Sequence, residues 1–236
     1  MSVETRRLAL AAVLLLIAGG AGGWLLAPSA QRPATQALPV LGKAPQFRGL
    51  TNQLGESVDS SRFAGKVQVV TFLFPYCTTY CPLIVAHLAG LESTLKLAGL
   101  QDRVEVVAYN VDPAGTGPAQ MREFLRQYGW NPYDPGLQFL TGTPQEIHRV
   151  VVGGYHVAYQ KVPGGAQAGG GPELTPQPEV VNELAARAQV GYDIVHNDAL
   201  EIVDPQGRIR AFYAQADVVS NPRLLGDVES LLPPRS

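Results

Sequence analysis

The sequence predicts an α/β domain with a mixed central sheet flanked by helices, carried behind an N-terminal transmembrane helix. Three observations predict it. Arg6 and Arg7 precede an uncharged run of twenty residues, Leu8 to Ala27, about the length that crosses ~30 Å of hydrocarbon. Through the middle of the chain, β-branched runs alternate with helix-periodic ones, which implies a parallel sheet. Near the C-terminus, two strand-like runs joined by Asp204-Pro-Gln-Gly207 add an antiparallel hairpin, so the sheet is mixed.

The apolar run reads either as an uncleaved anchor or as a secretory signal peptide cut near Ala27 to Ala30. Gly19–Leu26 prolong it, which favours the anchor. No base recurs before Arg32, so residues 1–7 stay in the cytoplasm and the rest is exported. The expected site is the inner membrane, crossed once, with the globular domain on the periplasmic side. Residues 28–43, rich in Pro, Ala and Gln, read as a tether, and 44–236 as the globular domain.

Pro45 to Val58 reads as a short hairpin or loop turning at Asn52-Gln-Leu-Gly55. Val67 to Phe74 is β-branched and aromatic, bounded by Gly65 and Pro75, and predicts a buried strand. Pro82 to Ala98 has helical spacing, with Pro82 in a first turn that tolerates its missing N–H. Val104 to Tyr109 predicts a second buried strand, and Pro118 to Tyr128 a second helix through Met121, Phe124 and Leu125. Leu137 to Leu140 is a short strand. Thr143, Pro144 and Glu146 spell a capping box and open a third helix. Tyr155, Val157 and Tyr159 alternate as an extended edge segment. Pro163 to Pro178 is a Gly/Pro-rich loop. Ala199 to Val203 and Arg208 to Tyr213 form the hairpin, and Asn221 caps a closing helix to Leu232. This order fits a thioredoxin-like fold.

Composition narrows the function. Hydrophobic residues make up 46% of 236 and charged residues 16%, below the usual ~25%, which excludes a disordered chain. Net charge is −2, with no basic footprint for nucleic acid. Two cysteines exclude a multi-disulfide scaffold and a zinc ribbon, but leave one metal site or one redox pair. The glycine-rich segments lack a phosphate-loop Lys-Ser/Thr signature, so nucleotide binding is not supported.

The chemistry sits where the first long strand meets its helix: Cys77-Thr78-Thr79-Tyr80-Cys81-Pro82. A helix start favours thiolates through its N–H groups and dipole. Three intervening residues suit either a disulfide or two-point chelation of a soft ion such as Cu(I). A third ligand would come from four histidines. His87 points away from the cysteine face, His148 is a surface residue, and His156 flanks the mobile loop. His196 precedes the C-terminal hairpin, in a loop expected beside the helix start. A peroxidase reading fails on spacing, since Pro75, Thr78 and Cys81 are one residue out of its motif. Tyr76, Tyr80 and Trp130 read as a docking rim or as core. Asp193, Asp198 and Asp112 lack regular spacing and are assigned no metal.

The chain resembles the Sco/SenC family of copper-binding, thioredoxin-like proteins over residues 44 to 232. The motifs that carry the resemblance are Phe47 to Lys66, the Cys77–Pro82 junction, Asn110-Val-Asp112-Pro113 and Leu140 to Ile147. They continue through Tyr155 to Val162, Tyr192-Asp-Ile-Val-His196 and Asp204 to Gly207. The resemblance implies that Cys77, Cys81 and His196 bind copper as Cu(I) or Cu(II), with Asp112 as a nearby carboxylate. It implies a partner, the copper subunit of cytochrome c oxidase or another copper chaperone. It leaves open a thiol–disulfide oxidoreductase acting on a partner's copper-site cysteines through Cys77 and Cys81. Thr78-Thr79-Tyr80 and Asn197 depart from the family pattern, and the loop from Pro163 to Pro178 is longer and richer in glycine.

Overall fold

A computed structural model describes residues 37–77, 79–163, 192–196 and 198–233. The anchor, residues 1–7 and most of the tether lie outside the described residues. Among the described residues, no helix is long and apolar enough to cross a membrane.

The strands are β1 (Gly42–Lys43), β2 (Leu50–Thr51), β3 (Ser57–Val58), β4 (Val67–Leu73) and β5 (Val104–Asn110). They continue with β6 (Leu137–Leu140), β7 (Tyr159–Pro163), β8 (Tyr192–His196), β9 (Leu200–Val203) and β10 (Arg208–Tyr213). The described helices are α1 (Cys81–Leu97), α2 (Pro118–Gln127), α3 (Pro144–Val151) and α4 (Asn221–Leu231). The main sheet runs β1-β10-β9-β4-β5-β6. β4, β5 and β6 are parallel, while β9 pairs antiparallel with β4 and begins the hairpin to β10. The mixed sheet expected from the sequence is therefore present.

β4 and β5 occupy the centre because their sequences can be buried on both faces. Every residue of both strands is buried, as expected of β-branched and aromatic strands covered on both faces. Phe72 and Tyr109, partners in the register, gather Tyr155 and Phe47 into an aromatic cluster on one face. α1 buries Ile84, Val85, Leu88 and Leu91, roughly 1.5–3 kcal/mol per large side chain, and packs along α4.

Gln53 closes the β6 edge. Its side chain accepts from Phe139 N–H at 2.9 Å and donates to the Leu137 carbonyl at 3.2 Å and the Pro132 carbonyl at 2.9 Å. It imitates a neighbouring strand and hides an edge that would otherwise pair with another chain. The expected turn follows on, with Asn52 Oδ1 accepting from Leu54 N–H at 3.0 Å and Glu56 N–H at 2.9 Å.

Several expectations change. The compact unit containing the sheet runs from Leu38, and β1 within it pairs with β10. Tyr155 and Val157 are buried loop residues rather than an edge strand. The strand starts at Tyr159 and pairs with β8 in a separate two-stranded sheet. α4 is capped at Ser220, and the Asn221 amide instead donates to the His87 carbonyl at 3.5 Å. The Thr143–Glu146 capping box is present as expected.

Candidate functional site

Cys77 lies in the turn after β4, its N–H donating to the Phe74 carbonyl at 2.9 Å. Cys81 is the first residue of α1, with Pro82 in the opening turn. Both cysteines are free and buried. Parallel strands place their C-terminal ends together, and a junction there is where an open α/β sheet exposes its functional crevice.

The two sulfurs are electrostatically unequal. The Cys81 thiol donates to Cys77, and this hydrogen bond, with help from Thr79 and against burial, brings the Cys77 thiol down to about 5. Thr79 Oγ1 stands 3.5 Å from the Cys77 sulfur. Burial, then the Cys77 thiolate and Asp198, push Cys81 well above the ordinary thiol range. Cys77 is thus the more acidic thiol of the pair and Cys81 the less acidic one.

His196 arrives from the other direction. It is the last residue of β8 rather than part of a loop, and its Nε2 stands 3.5 Å from the Cys81 sulfur. Cys77, Cys81 and His196 form a chain of contacts with Cys81 in the middle. Among the described residues no three His, Cys, Asp or Glu side chains are gathered into a metal cluster. As a donor set, two thiols and an imidazole match a soft monovalent ion.

Carboxylates surround the contact. Burial raises Asp198 to about 6, His196 pulling it down and Cys77 and Asp217 pushing it up. Asp112 is buried, which raises its carboxyl, while Tyr192 and Lys161 oppose the rise. Its carboxylate accepts from the Tyr192 hydroxyl at 2.6 Å. Tyr192 opens the strand that His196 ends, so Asp112 is joined to the other end of β8.

The other histidines separate as expected. His148 and His156 are exposed, and His156 has a positive φ of 59°. His87 is half-buried, its ring held below the ordinary range by burial against the opposing effect of Asp217. Trp130 is buried and makes no docking rim, whereas Tyr76 and Tyr80 pack partly buried against the core. The sequence reading missed Tyr192, Thr79 and Asp217. For Tyr192 a signal existed, since Tyr192, Ile194 and His196 alternate as strand residues do.

The SCO1/SenC family model matches residues 42–175, just over half of the chain. The SCO1 protein homolog of Bacillus subtilis is 24% identical over 180 residues, covering 76% of this chain and 78% of that protein. Among solved structures, ScoI of Bradyrhizobium japonicum with copper bound superposes with a TM-score of 0.59 at 22% identity, over 80% of this chain and 99% of that one. BsSco, described as a member of the Sco family of cytochrome c oxidase assembly proteins with a disulfide switch, matches with a TM-score of 0.60 at 23% identity, over 83% and 98%. These likenesses share one fold, the thioredoxin-like arrangement expected above.

Proposed function

Because the chain belongs to the SCO1/SenC family, we propose that it is a membrane-anchored copper carrier serving the assembly of cytochrome c oxidase. Cys77, Cys81 and His196 hold the ion as cargo. The observation that carries this reading is the approach of His196 Nε2 to the Cys81 sulfur at 3.5 Å, with Cys77 in the turn just before Cys81. Copper supplies its preference for soft sulfur and imidazole nitrogen. The protein supplies a thiolate at Cys77, a second thiol whose proton leaves on binding, and an imidazole carried on the separate two-stranded sheet of β7 and β8.

The site lies at a strand–helix junction, where a partner's ligands can replace its own one at a time. The partner is the copper subunit of the oxidase, or another copper chaperone that feeds it. The bound copper in ScoI of Bradyrhizobium japonicum supports the cargo. The run from Leu8 to Ala27 supports anchoring in the inner membrane, with the domain on the periplasmic side.

Cu(I) titration against a chromophoric chelator tests the reading. One ion should bind per chain, with affinity lowered in Cys77→Ala and in His196→Ala. Unchanged affinity in both variants would remove it.

One observation favours a second reading, a thiol–disulfide oxidoreductase. The free pair couples an acidic Cys77 to a protonated Cys81, the arrangement of an attacking and a resolving thiol. The Cys77 thiolate would attack a partner disulfide, and Cys81 would release the partner as a dithiol. The partner gains two electrons and this protein is left with a disulfide. Disulfide turnover that survives His196→Ala and not Cys77→Ala would favour this chemistry.

A further inference from the structure

Among the described residues, the two-stranded sheet of β7 and β8 shares no strand pairing with the main sheet, so side chains must fix its place. Tyr192, Ile194 and His196 lie on one face of β8 by strand alternation. Ile194 is buried on that face, while Val195 between them is exposed. At one end of the face His196 meets Cys81. At the other, the Tyr192 hydroxyl donates to the Asp112 carboxylate at 2.6 Å.

The surroundings of Tyr192 are built to hold this bond. Its ring stacks on Phe74, centroids 6.1 Å apart and 29° from parallel, and Phe74 leads directly into the cysteine turn. The Lys161 ammonium stands 3.3 Å from the ring centroid, a cation–π contact. Asp112 is fixed in turn by Asn110, whose side chain accepts from its N–H at 2.9 Å. Gly115 leaves the space: a Cβ there would fall on both the Tyr192 hydroxyl and the Asp112 carboxylate.

The geometry points to Tyr192 as the clasp of the His196 arm, a positioning residue whose bond to Asp112 holds the imidazole against the dithiol and sets how fast copper is let go. This rests on the reading that His196 is a copper ligand. A hydrogen bond to an ionised acceptor is strong enough to change release by roughly tenfold or more. Tyr192→Phe keeps the stacking and the cation–π contact and removes the hydroxyl alone. Gly115→Ala displaces the bond without altering either partner.

The test uses the full chain and two readouts. In metal-free protein, Tyr192→Phe and Gly115→Ala should speed hydrogen exchange of the β7 and β8 amides and leave β4 and β5 unchanged. In copper-loaded protein, both variants should release Cu(I) to a chelator roughly tenfold faster, and Tyr192→Phe should add nothing in a His196→Ala background. Unchanged exchange and release in Tyr192→Phe would overturn the clasp. So would an equal acceleration with His196 already removed, because the hydroxyl would then act elsewhere. If His196→Ala leaves copper binding untouched, the ligand assignment fails, and the exchange of the β8 amides alone decides whether Tyr192 holds the arm.

Discussion

Cys81 and His196 stand 115 residues apart in the chain, yet Sγ and Nε2 are 3.5 Å apart. The contact joins two pieces that the fold builds separately. One is the junction of β4 and α1, buried in the main sheet. The other is β8, a strand of a separate two-stranded sheet. One donor is therefore rigid and the other is carried on an arm.

The unequal thiols should be visible in titration. With Cys77 at about 5 and Cys81 well above the ordinary range, reduced metal-free protein carries one thiolate at neutral pH. Ultraviolet thiolate absorbance should rise by one equivalent near pH 5 and by no second equivalent until strongly alkaline pH. Cys81→Ala removes the hydrogen bond that stabilises the Cys77 thiolate, so the remaining titration should move upward. Two thiols titrating together near pH 9 would contradict the unequal pair.

Glu201 makes stability depend on pH. It is 2% exposed on β9, and burial pushes its carboxyl from 4.5 to about 8. Between those values the unfolded carboxyl has lost its proton while the folded one keeps it, so stability falls as pH rises and levels off above about 8. The full loss is on the order of 5 kcal/mol. Urea unfolding at intervals across this window should show the decline in the wild type and remove most of it in Glu201→Gln. A flat wild-type profile would contradict the buried proton.

Asn110 holds the turn that carries Asp112. Its amide donates to the Thr116 carbonyl at 3.0 Å, Thr116 Oγ1 at 3.0 Å and Thr141 Oγ1 at 3.2 Å, with no solvent exposure. Asn110→Ala leaves several buried groups without partners and should cost about 2–4 kcal/mol in chemical unfolding. A cost within error of zero would mean that the turn holds itself.

Gln53→Ala should open the β6 edge. The Phe139 N–H and the Leu137 and Pro132 carbonyls lose their partner together, at a cost of about 2–3 kcal/mol. Light scattering on mild heating should show earlier association than in the wild type. An unaltered aggregation temperature would show that the edge is protected by other means.

Much of this architecture was legible because local chemistry and tertiary structure agree. Val67 to Leu73 and Val104 to Asn110 are dominated by β-branched and aromatic residues, so they read as central strands, and they are buried throughout, Gln68, Thr71, Glu105 and Asn110 included. Thr143, Pro144 and Glu146 spell a helix start that the backbone adopts. Where tertiary contacts decide, the reading went astray. Among the described residues β8 pairs with β7 alone, its partner far back in the chain, and no local feature announces so remote a partner; His196 was therefore expected in a loop. The split between the thiols depends on which sulfur donates, and spacing does not carry that information. Tyr155 alternates like a strand residue, but it serves the aromatic cluster with Phe72 and Tyr109. The anchor and the loop from residue 164 lie outside the described residues.

X-ray absorption at the copper edge of the Cu(I)-loaded protein tests the central claim most directly. The account predicts two sulfur scatterers and one imidazole nitrogen around a single ion, with the imidazole signal absent in His196→Ala and one sulfur lost in Cys77→Ala. A first shell of sulfur alone, identical in the wild type and His196→Ala, would contradict it.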